Sequence, residues 1–122
     1  MKLARTIAAL IITASVSLGI AGCAPSPTPS TVSANTVFVD VRTPAEYASG
    51  HLEGAISLDV EASTFDSLAA QLPADGTYLV YCRSGNRAAA AITRLQQLGF
   101  TNLTNGGGLD SAAASTGLKV VQ

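Results

Sequence analysis

Tryptophan is absent from the 122 residues, histidine occurs once, at His51, and cysteine only twice, at Cys23 and Cys82. A single histidine and no cluster of ligand-type residues leave no basis for a metal site or a Cys–His dyad, and no metal or cofactor is expected. Charge is scarce as well, at 12% of residues. Beyond Lys2 and Arg5, five basic residues (Arg42, Arg83, Arg87, Arg94 and Lys119) face eight acidic ones, a balance of −3. A small acidic chain with no basic stripe is a poor nucleic-acid binder. The length allows one domain. No apolar run is comfortable as a membrane-spanning helix, because Thr6–Ile20 is short and diluted with small hydroxyl residues.

What stands at the N-terminus is a targeting pattern over residues 1–22: Lys2 and Arg5, then the apolar stretch, then Ile20-Ala21-Gly22-Cys23. The last four residues resemble a bacterial lipobox, with Ile20 where leucine is usual. That resemblance implies cleavage before Cys23 and lipidation of Cys23, and hence a protein of the cell envelope, lipid-anchored to a membrane on its extracytoplasmic side. Residues 23–35 alternate proline with serine and threonine and have no apolar period, so they read as a semi-extended tether. At about 3.1 Å per residue it spans up to roughly 35 Å. With Cys23 lipidated, the exported domain keeps one thiol and can form no internal disulfide.

The folded domain is expected over residues 36–122, organised around Tyr78-Leu79-Val80-Tyr81-Cys82-Arg83-Ser84-Gly85-Asn86-Arg87. Thr77–Tyr81 reads as a buried strand. Apolar residues then recur at Ala88, Ala91, Ile92, Leu95 and Leu98, which is helical spacing, with Gly99 at the end. Cys82 therefore falls in a strand-to-helix loop, where backbone N–H groups and a helix N-terminus converge into an anion nest. Nest, helix dipole and the charges of Arg83 and Arg87 all favour the reactive thiolate, lowering its pKa by about 1–3 units. Cys82 is read as a nucleophile.

Elsewhere, Val37–Val41 predicts a buried strand, and Thr43-Pro44 caps and opens a short helix. Gly50–Gly54 predicts a turn and Ala55–Leu58 a short strand. A helix is expected over Ser63–Leu72, a short strand over Thr101–Leu103, a flexible turn at Gly106–Gly108 and a weak alanine-rich helix over Leu109–Ser115. Alternating strands and helices imply an α/β fold with an open parallel sheet covered on both faces. Its ligands lie beyond the carboxyl ends of the strands, where Cys82 falls. Arg42 and Glu46 are expected to pair and lock the first turn, and His51 is expected to be structural.

Three stretches, in order, resemble the rhodanese-like (sulfurtransferase) family. Asp40-Val41-Arg42-Thr43-Pro44-Ala45-Glu46-Tyr47 is similar to a D-V-R-x-x-x-E-[FY] block, and Gly50-His51-Leu52-Glu53-Gly54-Ala55-Ile56 to G-H-I-x-G-A-[IV]. Cys82–Arg87, followed by Leu95 and Gly99-Phe100, resembles the family's active-site loop and helix. Two departures are visible. The family often carries G-G-x-x-x-W near its end, where this chain has Gly107-Gly108-Leu109-Asp110-Ser111-Ala112. Ala88 replaces a common serine. From Cys82 to Arg87 the loop is six residues, the length the resemblance links to sulfur transfer. Related arsenate reductases and dual-specificity phosphatases use seven, which makes a wider cradle.

The resemblance implies that Cys82 takes the outer sulfur of a small anion such as thiosulfate and passes it to a thiol or to cyanide. Arg83, Ser84, Gly85, Asn86 and Arg87 then bind the anion, with Arg83 and Arg87 on its sulfonate end. Gly85 supplies backbone freedom. The second reading is a non-catalytic module that docks sulfane sulfur, a small oxyanion or a redox partner. Retention of the cysteine favours the enzyme.

Overall fold

The computed structural model describes residues 32–122. The targeting segment, Cys23 and most of the tether lie outside them. In chain order the elements are β1 (Thr36–Asp40), α1 (Pro44–Ser49), β2 (His51–Leu52), β3 (Ile56–Ser57) and α2 (Phe65–Ala69). They continue with β4 (Thr77–Cys82), α3 (Asn86–Gln97), β5 (Asn102–Gly108), α4 (Leu109–Thr116) and β6 (Val120–Val121).

Four strands form one sheet in the order β3-β1-β4-β5, and every pairing in it is parallel. The two-residue period of a strand divides its side chains between two cores. Val39, Val41, Tyr78, Val80 and Cys82 point to one face, where Phe65 and Ala69 of α2 and Ala88, Ala91 and Leu95 of α3 cover them. Phe38, Leu79 and Tyr81 point to the other, against Tyr47 of α1 and Leu109, Ala112 and Ala113 of α4. The expected α/β sheet with helices on both faces is therefore the fold observed. Cys82 lies on the α3 face, at the carboxyl end of a central strand.

Local chemistry accounts for α1. Thr43 accepts from the Glu46 N–H while the Glu46 carboxylate accepts from the Thr43 N–H, a capping box with Pro44 in the first turn. The expected helix over Ser63–Leu72 shortens to Phe65–Ala69, and Thr64 at its start makes no side-chain cap. Two of the five residues of the expected turn at Gly50–Gly54 instead form β2, which pairs antiparallel with β6. The chain end thus returns to close the α1/α4 side of the molecule. With no tryptophan to pack there, α4 covers the sheet with alanine and leucine and stops at Gly117.

Gly106–Gly108 is not a flexible turn but the second half of β5. Its register against β4 shifts by one residue, Val80 facing Asn105 and Tyr81 facing Gly107, a bulge with Gly106 as the extra residue. These glycines are needed for close approach rather than for flexibility. A Cβ at Gly106 would overlap the Leu79 side chain, and one at Gly108 would overlap the Arg83 carbonyl oxygen.

Candidate active site

Strand β4 ends at Cys82 and α3 starts at Asn86, so three residues make the turn. Gly85, the residue before the helix, has φ of +95° and carries no side-chain cap, a left-handed conformation that favours glycine. The first N–H groups of a helix have no partner within it, and with no side chain claiming them they are left for the sulfur. The Gly85 N–H donates to Cys82 Sγ at 2.9 Å. The thiol has no exposed surface. Burial pushes its pKa up and is the largest single influence. The N–H groups of Ala88, Ser84, Gly85 and Arg87 together outweigh it, leaving the thiol more acidic than usual.

Two arginines flank this nest and behave differently. Arg83 is exposed, and among the described residues it makes no ion pair. Arg87 points away from the loop toward α1, donating through Nη1 to Glu46 Oε2 at 2.8 Å and through Nη2 to Glu46 Oε1 at 2.9 Å. Glu61 stands 3.7 Å from the same guanidinium. The Arg87 fork is the main reason that the Glu46 carboxyl is pulled down to about 2, against burial and with help from Thr43. The expectation places Arg87 on the anion; in this structure its two terminal nitrogens are engaged by the Glu46 carboxylate. Its charge nevertheless sits close enough to interact with the Cys82 thiolate.

The expected Arg42–Glu46 pair is corrected. Arg42 Nε bonds Asp40 Oδ1 at 2.9 Å, and its Nη2 bonds Asp40 Oδ2 and the Gly50 carbonyl, each at 2.6 Å. Residues two apart at a strand end share a face, so Asp40 reaches Arg42 before Glu46 does. Both are buried. This pair ties the end of β1 to the start of β2, while Glu46 is free to reach α3. His51 is structural in its contacts: Nδ1 lies 2.8 Å from the Tyr47 carbonyl, and the ring stacks on Tyr47.

Beside the loop opens a cleft of about 510 Å³, walled by Arg83 and Ser84, by Glu46 and Ser49 of α1, and by Asp110 and Ser111 of α4. Of the anticipated residues, Arg83 and Ser84 line this cleft, while the buried Cys82 sulfur and the Gly85 N–H lie within the loop beside it. The Arg87 backbone joins them while its side chain leaves, and Asn86 opens α3 with its side chain exposed. The sequence reading missed Asn105 and Gly108, which come from β5, and the role of Glu46 as the partner of Arg87. The signal available for the first two was the asparagine heading an unbroken glycine run. Among the described residues no group of three His, Cys, Asp or Glu side chains is placed to hold a metal.

Comparison with known proteins gives a consistent family. A model described as the rhodanese-like domain matches residues 30–111. Thiosulfate sulfurtransferase PspE of Escherichia coli is 32% identical over 77 residues, covering 62% of this chain and 73% of its own. A sulfurtransferase of Allochromatium vinosum is 34% identical over 87 residues, covering 71% and 79%. Among solved structures, a rhodanese with anions from E. coli superposes with a TM-score of 0.60 at 29% identity, covering 71% of this chain and 98% of that one. A rhodanese-related protein from Thermoplasma volcanium gives 0.59 at 32% identity, covering 71% and 84%.

Proposed function

The chain belongs to the family of rhodanese-like domains, with sulfurtransferases among its relatives, and we propose that it is a thiosulfate:acceptor sulfurtransferase working through a persulfide on Cys82. The observation that carries this reading is the Cys82 sulfur held by the Gly85 N–H within a ring of loop and helix N–H groups. Such a ring stabilises negative charge on a sulfur in the nest, whether it is the thiolate or the outer atom of a persulfide. Thiosulfate as the donor is supported by the name of the E. coli relative.

In the proposed cycle the Cys82 thiolate attacks the outer sulfur of thiosulfate. A Cys82–sulfur bond forms, the sulfur–sulfonate bond breaks, and sulfite departs with the electron pair. A thiolate or cyanide acceptor then attacks the outer sulfur of the persulfide. The bond to Cys82 breaks and the thiolate returns, a two-step covalent exchange with ping-pong kinetics. Arg83, the exposed cation on the cleft wall, holds the sulfonate end. Arg87 supports the thiolate by its charge and by clamping the loop to α1.

The domain is further proposed to work outside the cytoplasm, held to the membrane by lipid on Cys23. Lys2, Arg5, the apolar stretch and the cysteine directly before a proline-rich tether support this.

The test is to incubate the protein with thiosulfate and map its peptides by mass spectrometry. One added sulfur on Cys82, with loss of thiocyanate production in a folded Cys82→Ser variant, is the expected result. Turnover persisting in that variant removes Cys82 from its role. One observation favours the second reading, a sulfur-binding module without turnover: Cys82 has no exposed surface in the resting loop. In that case anions bind at the cleft, but the parent protein gains no sulfur on Cys82 and produces no thiocyanate.

A further inference from the structure

The bulge in β5 places one side chain against the active-site loop from outside. Asn105, the last residue before the register shift, donates through Nδ2 to the Gly85 carbonyl at 3.1 Å. Its Oδ1 accepts from the Gly107 N–H at 2.8 Å, so the amide is anchored to its own strand while it reaches across. The Gly85 carbonyl also accepts from the Ala89 N–H at 3.0 Å, the first turn of α3. Gly85 therefore stands between two constraints: its N–H is on the Cys82 sulfur and its carbonyl is held from β5.

We propose that Asn105 is a positioning residue for sulfur transfer, holding the Gly85 backbone so that its N–H stays aimed at the reacting sulfur. The physical need follows from the loop itself. Gly85 is in a left-handed conformation that requires glycine, yet glycine is also the residue most free to leave any given conformation. The two peptide planes meeting at Gly85 Cα are otherwise tied only by the helix turn on one side and the sulfur on the other. When the outer sulfur is gained and lost, the sulfur side of that arrangement changes in each half-reaction, while the Asn105 contact does not depend on it. Pre-set donors stabilise developing charge better than donors that must reorient.

The charged groups around the thiol are Arg83 on the loop and Arg87 on α3, the latter paired with Glu46 of α1 and with Glu61. Among the described residues, the Asn105 side chain hydrogen-bonds to the Gly85 carbonyl and the Gly107 N–H and to none of these charged groups. Changing it therefore leaves the local charges in place and alters only the aim of the N–H.

The inference rests on Cys82 being the reacting thiol, and two variants of the full chain test it. Asn105→Ala removes both contacts. Asn105→Ser keeps an oxygen for the Gly107 N–H but is one atom too short to reach Gly85, so it preserves the bulge and loses the loop contact. The readouts are the pH midpoint of Cys82 alkylation, followed on the Cys82 peptide, together with kcat and KM for thiosulfate and the melting temperature. In both variants the midpoint is expected to rise by roughly half a pH unit and kcat to fall about 3–10-fold, with KM nearly unchanged. Asn105→Ser should melt close to the parent.

Wild-type midpoint and kcat in Asn105→Ser, with a deficit confined to Asn105→Ala, make Asn105 a support of the bulge only and overturn the proposal. If Asn105→Ala fails to fold, Asn105→Ser decides alone. Alkylation is read whether or not thiosulfate is the donor. A parent protein that forms no persulfide therefore defeats the proposed function, while an unmoved midpoint in Asn105→Ser defeats this inference.

Discussion

Arg87 and Glu46, 41 residues apart in the chain, meet as a two-pronged ion pair with nitrogen–oxygen distances of 2.8 and 2.9 Å. The pair joins the first turn of α3 to the capping box of α1. In the proposed cycle it divides the labour of the two loop arginines, leaving Arg83 as the cation on the cleft wall that makes no ion pair among the described residues.

This division predicts different kinetic signatures. Arg83→Ala should raise KM for thiosulfate about 3–10-fold with little change in kcat, because an exposed charge contributes modestly to binding. Arg87→Ala should instead lower kcat by about 10-fold and raise the alkylation midpoint of Cys82, since a neighbouring cation is lost and the Glu46 carboxylate is left beside the loop. Arg87→Lys should recover only part, as an ammonium cannot fill both carboxylate oxygens in a planar fork. Steady-state kinetics with alkylation across pH checks all three. A higher KM on changing Arg87 would restore it to the anion.

Glu46 also sets an acid limit. Its carboxyl falls from an ordinary 4.5 to about 2 in the folded protein, so the unfolded chain binds this proton at higher pH than the native one. Stability from the pair is then fully present above about pH 4.5 and is lost as pH falls toward 2. At pH 7 Glu46→Gln should be less stable by about 1 kcal/mol, since both partners are partly solvated. Thermal melts of parent and variant from pH 7 to pH 2 should converge across that window. A gap that stays constant down to pH 2 would contradict the assignment.

Gly108 tests the approach of β5 to the loop. A methyl there overlaps the Arg83 carbonyl oxygen, a backbone atom that moves only if the loop moves. Gly108→Ala should cost about 1–3 kcal/mol of stability, the range for overpacking. It should also lower kcat/KM for sulfur transfer, although no reacting group has changed. Chemical denaturation and kinetics on the same preparation check this. Parental values in both would show that the strand gives way without disturbing Cys82.

The proposed envelope location is tested at Cys23. Cys23→Ala should abolish acyl labelling and release the protein from the membrane fraction after processing. Persistent labelling would remove the lipobox reading. A variant that stays membrane-bound without label would show that the apolar segment at residues 6–20 acts as an uncleaved anchor.

The parts of this protein determined by sequence alone are those governed by spacing along the chain. The apolar runs of β1 and β4, the helical spacing of Ala88, Ala91 and Leu95, and the Thr43-Pro44 helix start are short-range patterns. They are satisfied in the structure because each concerns neighbours within a few residues. From them follow the parallel sheet, its two covered faces and the position of Cys82 at the end of a central strand. The choice of partner for each arginine was not decided at that level. Asp40 and Glu46 are both near Arg42 in sequence, and strand pleating gives Arg42 to Asp40 while tertiary packing gives Glu46 to Arg87. The glycine run looked flexible because composition records conformational freedom but not what lies beside a residue. Only the packing of β5 shows that a Cβ at Gly106 would overlap Leu79 and one at Gly108 the Arg83 carbonyl oxygen, while Gly107 has φ of +76°. Asn105 is the same case: unmarked by any motif in the sequence, it reaches Gly85 because a one-residue bulge delivers it there.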